Sequence, residues 1–323
     1  MNSKILVAGG GGFIGGHLVK RLNEEGFKSI KVIDIKPVSE WFYINTQNKN
    51  VQSNLKDFGN CVESTKNIDL VFNLAADMGG MGFIETNKTA CMLSVLINTN
   101  LLEASRLNGV NKYFFSSSAC VYRADKQLES TNLGLKETDA YPANPEDGYG
   151  WEKLFSERMC NHFKEDFGIQ THVARFHNVY GPHGTFSGGR EKAPAALSRK
   201  IAEAKLSGHH EIEIWGDGEQ TRSFTYVDDT VTGILKLVES NFSEPINIGS
   251  SELISINKLV SLLENISGIK VRRTYDLNAP KGVRGRNSDN SLIKDVLSWE
   301  PNIKIEKGLV ETFNWIYDQM ANK

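Results

Sequence analysis

The chain is predicted to be an α/β protein, a doubly wound parallel sheet followed by a smaller, mostly helical lobe. Three observations carry this. The first half alternates short apolar runs with amphipathic stretches, the pattern of β-α-β units. The apolar runs are nearly continuous in Val, Ile, Leu and Phe, as in strands covered on both faces. Beyond Val179 that alternation gives way to a loop crowded with Gly181, Pro182, Gly184, Gly188 and Gly189, and then to helical segments.

Taken in order, strands are predicted over residues 4–8, 31–35, 70–74, 112–115 and 171–174, with amphipathic helices over 13–25, 90–108 and 149–167. Helical segments follow over 192–205, 228–239, 256–266 and 306–319, and residues 245–249 read as one more short strand. The resulting plan assigns residues 1–178 plus about 226–248 to a nucleotide-binding sheet domain. Residues 179–225 plus 249–323 form the smaller lobe.

Bulk properties narrow the function. The 323 residues are 40% hydrophobic and 24% charged, an ordinary globular composition. A net charge of -2 gives no global attraction to nucleic acid or membrane, so any anion site is local. No apolar run reaches the ~18 residues of a membrane span, and the start of the chain carries no signal-peptide pattern. Cys61, Cys91, Cys120 and Cys160 form no C-x-x-C pair and have no His at metal spacing. Reduced thiols, a cytoplasmic location and the absence of a metal are the expectation.

The run Gly9-Gly10-Gly11-Gly12-Phe13-Ile14-Gly15 follows a predicted strand and opens a helix. Gly9, Gly12 and Gly15 let the backbone turn and approach a pyrophosphate seated on the helix N-terminus. The next strand ends in Asp34, whose carboxylate can accept from both ribose hydroxyls and repels a 2′-phosphate. NAD is therefore expected over NADP.

Tyr149 and Lys153 lie one helical turn apart on one face. A phenol of ordinary pKa ~10 needs help to act as a base near neutrality, and a nearby Lys⁺ together with the positive nicotinamide ring would favour its phenolate. Tyr122 and Lys126 meet the same spacing, but in a charged loop. Upstream, Ser118 is followed by Ala119 and Cys120; by itself Cys120 reads first as a small buried residue and only second as a further acid/base.

With Gly9, Gly12, Gly15, Asn73-Leu74-Ala75-Ala76, Ser118, Tyr149 and Lys153 together, the chain resembles the extended short-chain dehydrogenase/reductase family. Longer runs narrow the resemblance to its branch that epimerises GDP-mannose at C3 and C5. They are residues 76–82, 117–120, 189–194, 216–224 and 282–290, and they extend over essentially the whole chain. The resemblance implies that Ser118 and Tyr149 hydrogen-bond the reacting hydroxyl while Lys153 holds the nicotinamide ribose. It implies Cys120 as base and Lys192 as acid at the ring carbons beside an oxidised C4. It also implies cofactor contacts from Phe13, Ile14, Asn54, Leu55 and Ala75 besides the glycines and Asp34. Substrate contacts are implied from Gly79, Ser118, Ala119, Cys120, Asn178, Glu191, Lys192, Ala193, Lys200, Gln220, Thr221, Arg222 and Arg286. A GDP-mannose substrate and a homodimer formed through helices 90–108 and 149–167 are implied as well.

The chemistry behind that assignment is general. An unactivated sugar C–H is too weak an acid for a protein base, whereas a C4 ketone acidifies the protons at both C3 and C5. Three positions depart from the family pattern: Asn54 replaces an Asp, Ser94 an Asn and Arg123 a Pro. Rival readings are a nucleotide-sugar 4,6-dehydratase or decarboxylase, a GDP-fucose synthase, and a non-catalytic NAD-binding sensor. The dehydratases carry Asp-Glu where Ala119-Cys120 stand here, the synthase consumes NADPH against which Asp34 argues, and sensors lose the Tyr or Lys.

Overall fold

The first apolar run folds as strand β1 (Ile5–Ala8), with all four residues buried. Alternate side chains leave opposite faces of a strand, so Ile5 and Val7 enter one core and Leu6 and Ala8 another. Burial on both sides explains why the run shows no polar alternation. In this computed structural model, which describes residues 3–131, 133–280 and 282–322, β1 lies inside a seven-stranded parallel sheet.

The other strands are β2 (Ile30–Asp34), β3 (Lys49–Gln52), β4 (Leu70–Asn73), β5 (Lys112–Ser118), β6 (Gln170–Phe176) and β7 (Ile246–Ile248). Their order is β7-β6-β5-β4-β1-β2-β3, with parallel pairing throughout. Connections run in opposite directions from β1 and β4, which opens a crevice at the carboxyl ends of the strands. This is the doubly wound Rossmann arrangement expected from the sequence.

Helices α1 (Phe13–Glu24), α2 (Phe58–Thr65), α3 (Val95–Leu107) and α4 (Tyr149–Phe167) flank the sheet. Gly15, Leu18, Val19 and Leu22 bury one face of α1, the helical spacing that the sequence displays. Two expectations need correction. Strand β3 escaped the sequence reading because Lys-Asn-Val-Gln is short, polar and half-exposed at a sheet edge. The predicted helix 90–108 is broken: a short helix, Lys88–Met92, ends before α3 begins. At the break Ser94 Oγ accepts the Asp77 backbone N–H at 2.9 Å, tying this bend to the loop after β4.

The second half supplies α5 (Ala193–Ser207), α6 (Val227–Glu239), α7 (Ile256–Ser267) and α8 (Ile305–Ala321). Leu197, Ile201, Leu309 and Phe313 join the same core as Ile5 and Val7, so the lobe packs continuously onto one face of the sheet. Strand β7 returns the chain to the sheet edge beside β6. A small sheet outside the main one places Thr221–Ser223 between Leu253–Ser255 and Gly285–Arg286. Among the described residues, no helix is long and apolar enough to cross a membrane.

Candidate active site

The cofactor end is built from close backbone approaches. Gly9 has φ +82°, and a Cβ there would lie 2.8 Å from Ala75 N. A Cβ on Gly15 would lie 2.1 Å from Gly9 O, so that contact between loop and helix admits only glycine. Gly12 caps α1 with extended backbone, no side chain caps the helix, and no acid occupies its first turn. Those N–H groups and the positive helix end form a cradle suited to a pyrophosphate. Asp34 is buried at the end of β2; Oδ1 accepts the Lys36 N–H at 3.0 Å, while Oδ2 faces the Gly12 position. Phe13 and Ile14 begin α1, half-buried at the same end. Leu55 is buried beneath Cys61, whereas the Asn54 side chain accepts its own loop's Lys56 N–H at 3.0 Å. The residues fit a dinucleotide, although the Asn54 side chain is spent within its own loop.

The chemical end is assembled where β5 meets α4. Ser118 ends β5, and its Oγ accepts the Cys120 N–H at 3.2 Å, forming the short turn Ala119–Val121. The Glu146 N–H donates to Cys120 O at 3.0 Å, and a Cβ on Gly150 would lie 2.4 Å from that same oxygen. Glycine at 150 therefore lets the first turn of α4 sit directly against the Cys120 turn. Tyr149 hydrogen-bonds Ser118, and its ring shares an apolar cluster with Ile84, Cys91 and Cys120.

Without the nicotinamide ring, Lys153 by itself does not lower the phenol pKa. Burial, followed by the nearby Cys120 and Glu152, pushes the Tyr149 phenol well above its ordinary value; only the Ser118 hydrogen bond acts against this. Lys153 Nζ is 3.6 Å from Glu152 Oε2 and sits over the Phe115 ring at 4.6 Å, farther from the Tyr149 ring at 5.5 Å. Its charge is thus largely shared with a neighbour the sequence reading did not weigh.

Lys192 reaches this site from the other lobe. It caps α5, just before Ala193, and burial lowers its ammonium pKa while the charge of Cys120 opposes that shift. Two loops meet to put it there. Gly80 N–H donates to Arg190 O at 2.9 Å, and a Cβ on Gly80 would lie 2.3 Å from Glu191 O. Arg190 pairs with Asp77 Oδ1 at 2.7 Å and covers the Phe83 ring at 3.7 Å. Gly79 is pressed between Phe83 and Arg190 in that contact.

The remaining substrate candidates are not all together. Arg222 and Arg286 are register partners on adjacent short strands, and Arg222 donates to Val283 O at 2.6 Å. Burial lowers the Arg222 pKa to about 10, with Cys120 opposing. Thr221 Oγ1 donates to Ser130 O at 2.5 Å, and Gln220 is buried with Nε2 donating to Trp215 O at 2.7 Å. Asn178, at φ +43°, donates to Ser223 O at 3.1 Å and anchors the same strand. Lys200 points elsewhere: Nζ donates to Glu213 O at 2.6 Å, and Glu191 is among the charges that it feels. Arg123, expected near the pocket mouth, forks Asp125 at 2.6 and 3.0 Å.

Sequence reasoning missed a buried polar network behind the Ser118 turn. Arg175 holds Glu157 with bonds of 2.9 and 2.7 Å, and Ser117 Oγ donates to Glu157 Oε1 at 2.5 Å. Arg175 also reaches Tyr122, whose hydroxyl donates to Asn247 Oδ1 at 2.6 Å. The visible signal was an arginine inside the apolar strand Thr-His-Val-Ala-Arg-Phe, since a buried charge requires a partner. Among the described residues, no group of three or more His, Cys, Asp or Glu is placed to hold a metal ion.

Residues 5–249 match the model of the NAD dependent epimerase/dehydratase family. The chain is 45% identical to GDP-mannose 3,5-epimerase of Arabidopsis thaliana, over all of this chain and 84% of that protein. It is 46% identical to GDP-mannose 3,5-epimerase 1 of Oryza sativa subsp. indica, over 99% of this chain and 83% of that one. Against GDP-L-fucose synthase 1 of Arabidopsis thaliana the identity is 25%, over 100% and 95% of the two chains. The UDP-glucose 4-epimerase structure from Thermotoga maritima superposes with TM-score 0.88 at 28% identity, covering 98% of this chain and 99% of that chain. A UDP-glucuronic acid 4-epimerase from Bacillus cereus, solved with a fluorinated UDP-glucuronic acid and NAD, gives TM-score 0.83 at 26% identity, with 98% and 99% coverage. The chain therefore belongs to the NAD dependent epimerase/dehydratase family, and within it to the group whose plant members are the GDP-mannose 3,5-epimerases.

Proposed function

We propose that this protein epimerises GDP-mannose at C3 and C5 to GDP-L-galactose, with GDP-gulose arising where C5 alone inverts. The observation that carries the reading is the convergence of Cys120, Tyr149 and Lys192 on one site from two lobes. NAD, when bound, supplies the reversible oxidation at C4. The glycine cradle and Asp34 would hold its pyrophosphate and ribose, with Lys153 at the nicotinamide ribose. Tyr149, hydrogen-bonded to Ser118, takes the proton of the C4 hydroxyl and later returns it. With C4 a ketone, Cys120 as thiolate removes the proton from C3 or C5, and Lys192 delivers one to the opposite face. Inversion thus needs two carriers on opposite faces of the ring, and a plain alcohol dehydrogenase needs neither.

The lobes divide the labour in the main: residues 1–178 plus about 226–248 hold the cofactor, 179–225 plus 249–323 hold the nucleotide sugar, and Gly79, Ala119, Cys120 and Asn178 reach across from the first to the second. Arg222, Gln220, Thr221, Glu191, Asn178 and Gly79 belong to the sugar-nucleotide side, as do Ala119 and Ala193 beside the two proton carriers. A cytoplasmic homodimer through α3 and α4 completes the reading. Leu96, Trp151 and Phe155 are exposed large apolar side chains on these two helices, and pairing would cover them.

The test is to incubate GDP-mannose with the NAD-loaded enzyme in deuterated water. Deuterium at C3 and C5 without net formation of NADH is expected. Label-free ring carbons, or inversion at C4 alone, would overturn the reading.

A further inference from the structure

The guanidinium of Arg286 is engaged by the protein on all of its edges. Nε donates to Gln127 Oε1 at 2.7 Å, Nη1 points at Cys120 Sγ at 3.6 Å, and Nη2 is ion-paired with Glu146. Gln127 is completely buried, Arg286 is 4% exposed, and the Glu146 side chain is 12% exposed. An arginine offers its donors in a fixed planar fork, so anchoring Nε and Nη2 determines where Nη1 points. Glu146 is itself held against the thiol's turn, through its N–H to Cys120 O.

From this we infer that Arg286 works as the cation that stabilises the Cys120 thiolate, and that Glu146 and Gln127 are positioning residues that aim it at the sulfur. The inference rests on the proposed role of Cys120 as ring base and assigns Arg286 a task at the sulfur besides any contact with the diphosphate. The groups that face or feel the thiol are Arg286, Lys192 and Arg222 as cations, Glu146 as the counter-carboxylate, and the Tyr149 phenol and the Cys91 thiol as neighbours. Lys192 has to keep a proton for the opposite face of the ring. Arg286 has no such duty, since a guanidinium stays charged throughout.

Two substitutions separate the roles. Arg286→Gln removes the cation. Glu146→Gln keeps an oxygen for Nη2 but removes the opposing negative charge, and its near-identical shape guards against misfolding. The probe is iodoacetamide on the NAD-loaded full chain, with the Cys120 peptide followed by mass spectrometry at pH 7. Loss of the cation is expected to slow Cys120 alkylation roughly tenfold, because the thiolate is the form that reacts. Glu146→Gln is expected to speed it about threefold, because the arginine then acts unopposed. Unchanged alkylation in both variants, with only the KM for GDP-mannose raised, would overturn the inference and leave Arg286 a diphosphate ligand. Should Arg286→Gln not fold, an unchanged or slower rate in Glu146→Gln overturns it equally. Deuterium exchange at C3 and C5 separates the two levels. If alkylation shifts as stated but Cys120→Ala still exchanges ring protons, the Arg286–thiolate pairing stands and the base assignment fails.

Discussion

In the proposed mechanism, the half of the site assigned to oxidation and the half assigned to ring inversion are built from different material. Ser118, Tyr149 and Lys153 stand on the end of a central strand and the first turns of a long helix, braced by the buried Ser117–Glu157–Arg175 network. Cys120, Lys192 and Arg286 stand on a short turn, a helix cap and a two-residue strand, contributed by segments far apart in the chain. The difference has a chemical sense. Oxidation at C4 demands one fixed geometry, which rigid elements provide. Inversion demands groups on both faces of the ring, which no single element can present, so loops from two lobes must meet across it.

The sharpest way to break this comparison is to remove one half and keep the other. Cys120→Ala is expected to cut ring-proton exchange by about 10²–10⁴, the ordinary worth of a positioned acid/base, while NAD binding and thermal unfolding stay unchanged. Loss of NAD binding in that variant would show that the halves are not separable. On the rigid side, Arg175→Met leaves Glu157 as an unpaired buried carboxylate. It is expected to cost about 3–5 kcal/mol of stability by urea unfolding. A cost near zero would mean that the network does not brace the oxidising half.

Acid should reach the rigid half first. His172 and His177 are fully buried, and burial pushes both imidazoles down to about 4. The unfolded chain, with ordinary histidines near ~6.5, then binds protons first as pH falls. Their contribution is complete above about pH 6.5 and is lost as pH drops toward 4, by about 3 kcal/mol or less for each. Urea midpoints at pH 7 and pH 4.5 check this, and equal midpoints would refute it.

The loop side should respond to alkali. Burial lowers the Lys192 pKa, so its acid form is lost as pH rises, earlier than for a solvated lysine. Lys192→Arg, if it retains any ring exchange, should move the alkaline limb of the rate profile upward, whereas an unmoved limb would assign that limb to another group. Smallest of all, Asp34→Asn should leave ring chemistry intact and narrow the preference for NAD over NADP by about tenfold in Kd. An unchanged cofactor preference would detach Asp34 from the ribose.

Much of the first half was legible because its signals are local. Continuous apolar runs become strands buried on both faces, and helix 149–167 coincides with its predicted bounds. Gly9, Gly12 and Gly15 are glycines for reasons that a neighbouring backbone makes visible, but their spacing already announces them. The edge strand Lys49–Gln52 and the break at Ser94 were not legible, since each depends on a partner distant in sequence: the paired β2 and the Asp77 loop.

By itself, the sequence determined the parallel sheet, the glycine turn with Asp34 at the end of the next strand, and the inventory of groups able to move protons. Periodicity, glycine spacing and residue chemistry are properties of short stretches, and they survive without knowledge of the fold. Tertiary structure alone decided which of those groups share a site and in what electrostatic state. It set Glu152 beside Lys153, joined the Gly80 and Glu191 loops so that Lys192 feels the charge of Cys120, and aimed Arg286 at the sulfur through Glu146 and Gln127. Burial and charge act through space, between residues that the chain holds far apart, so only the folded geometry fixes their magnitude and sign.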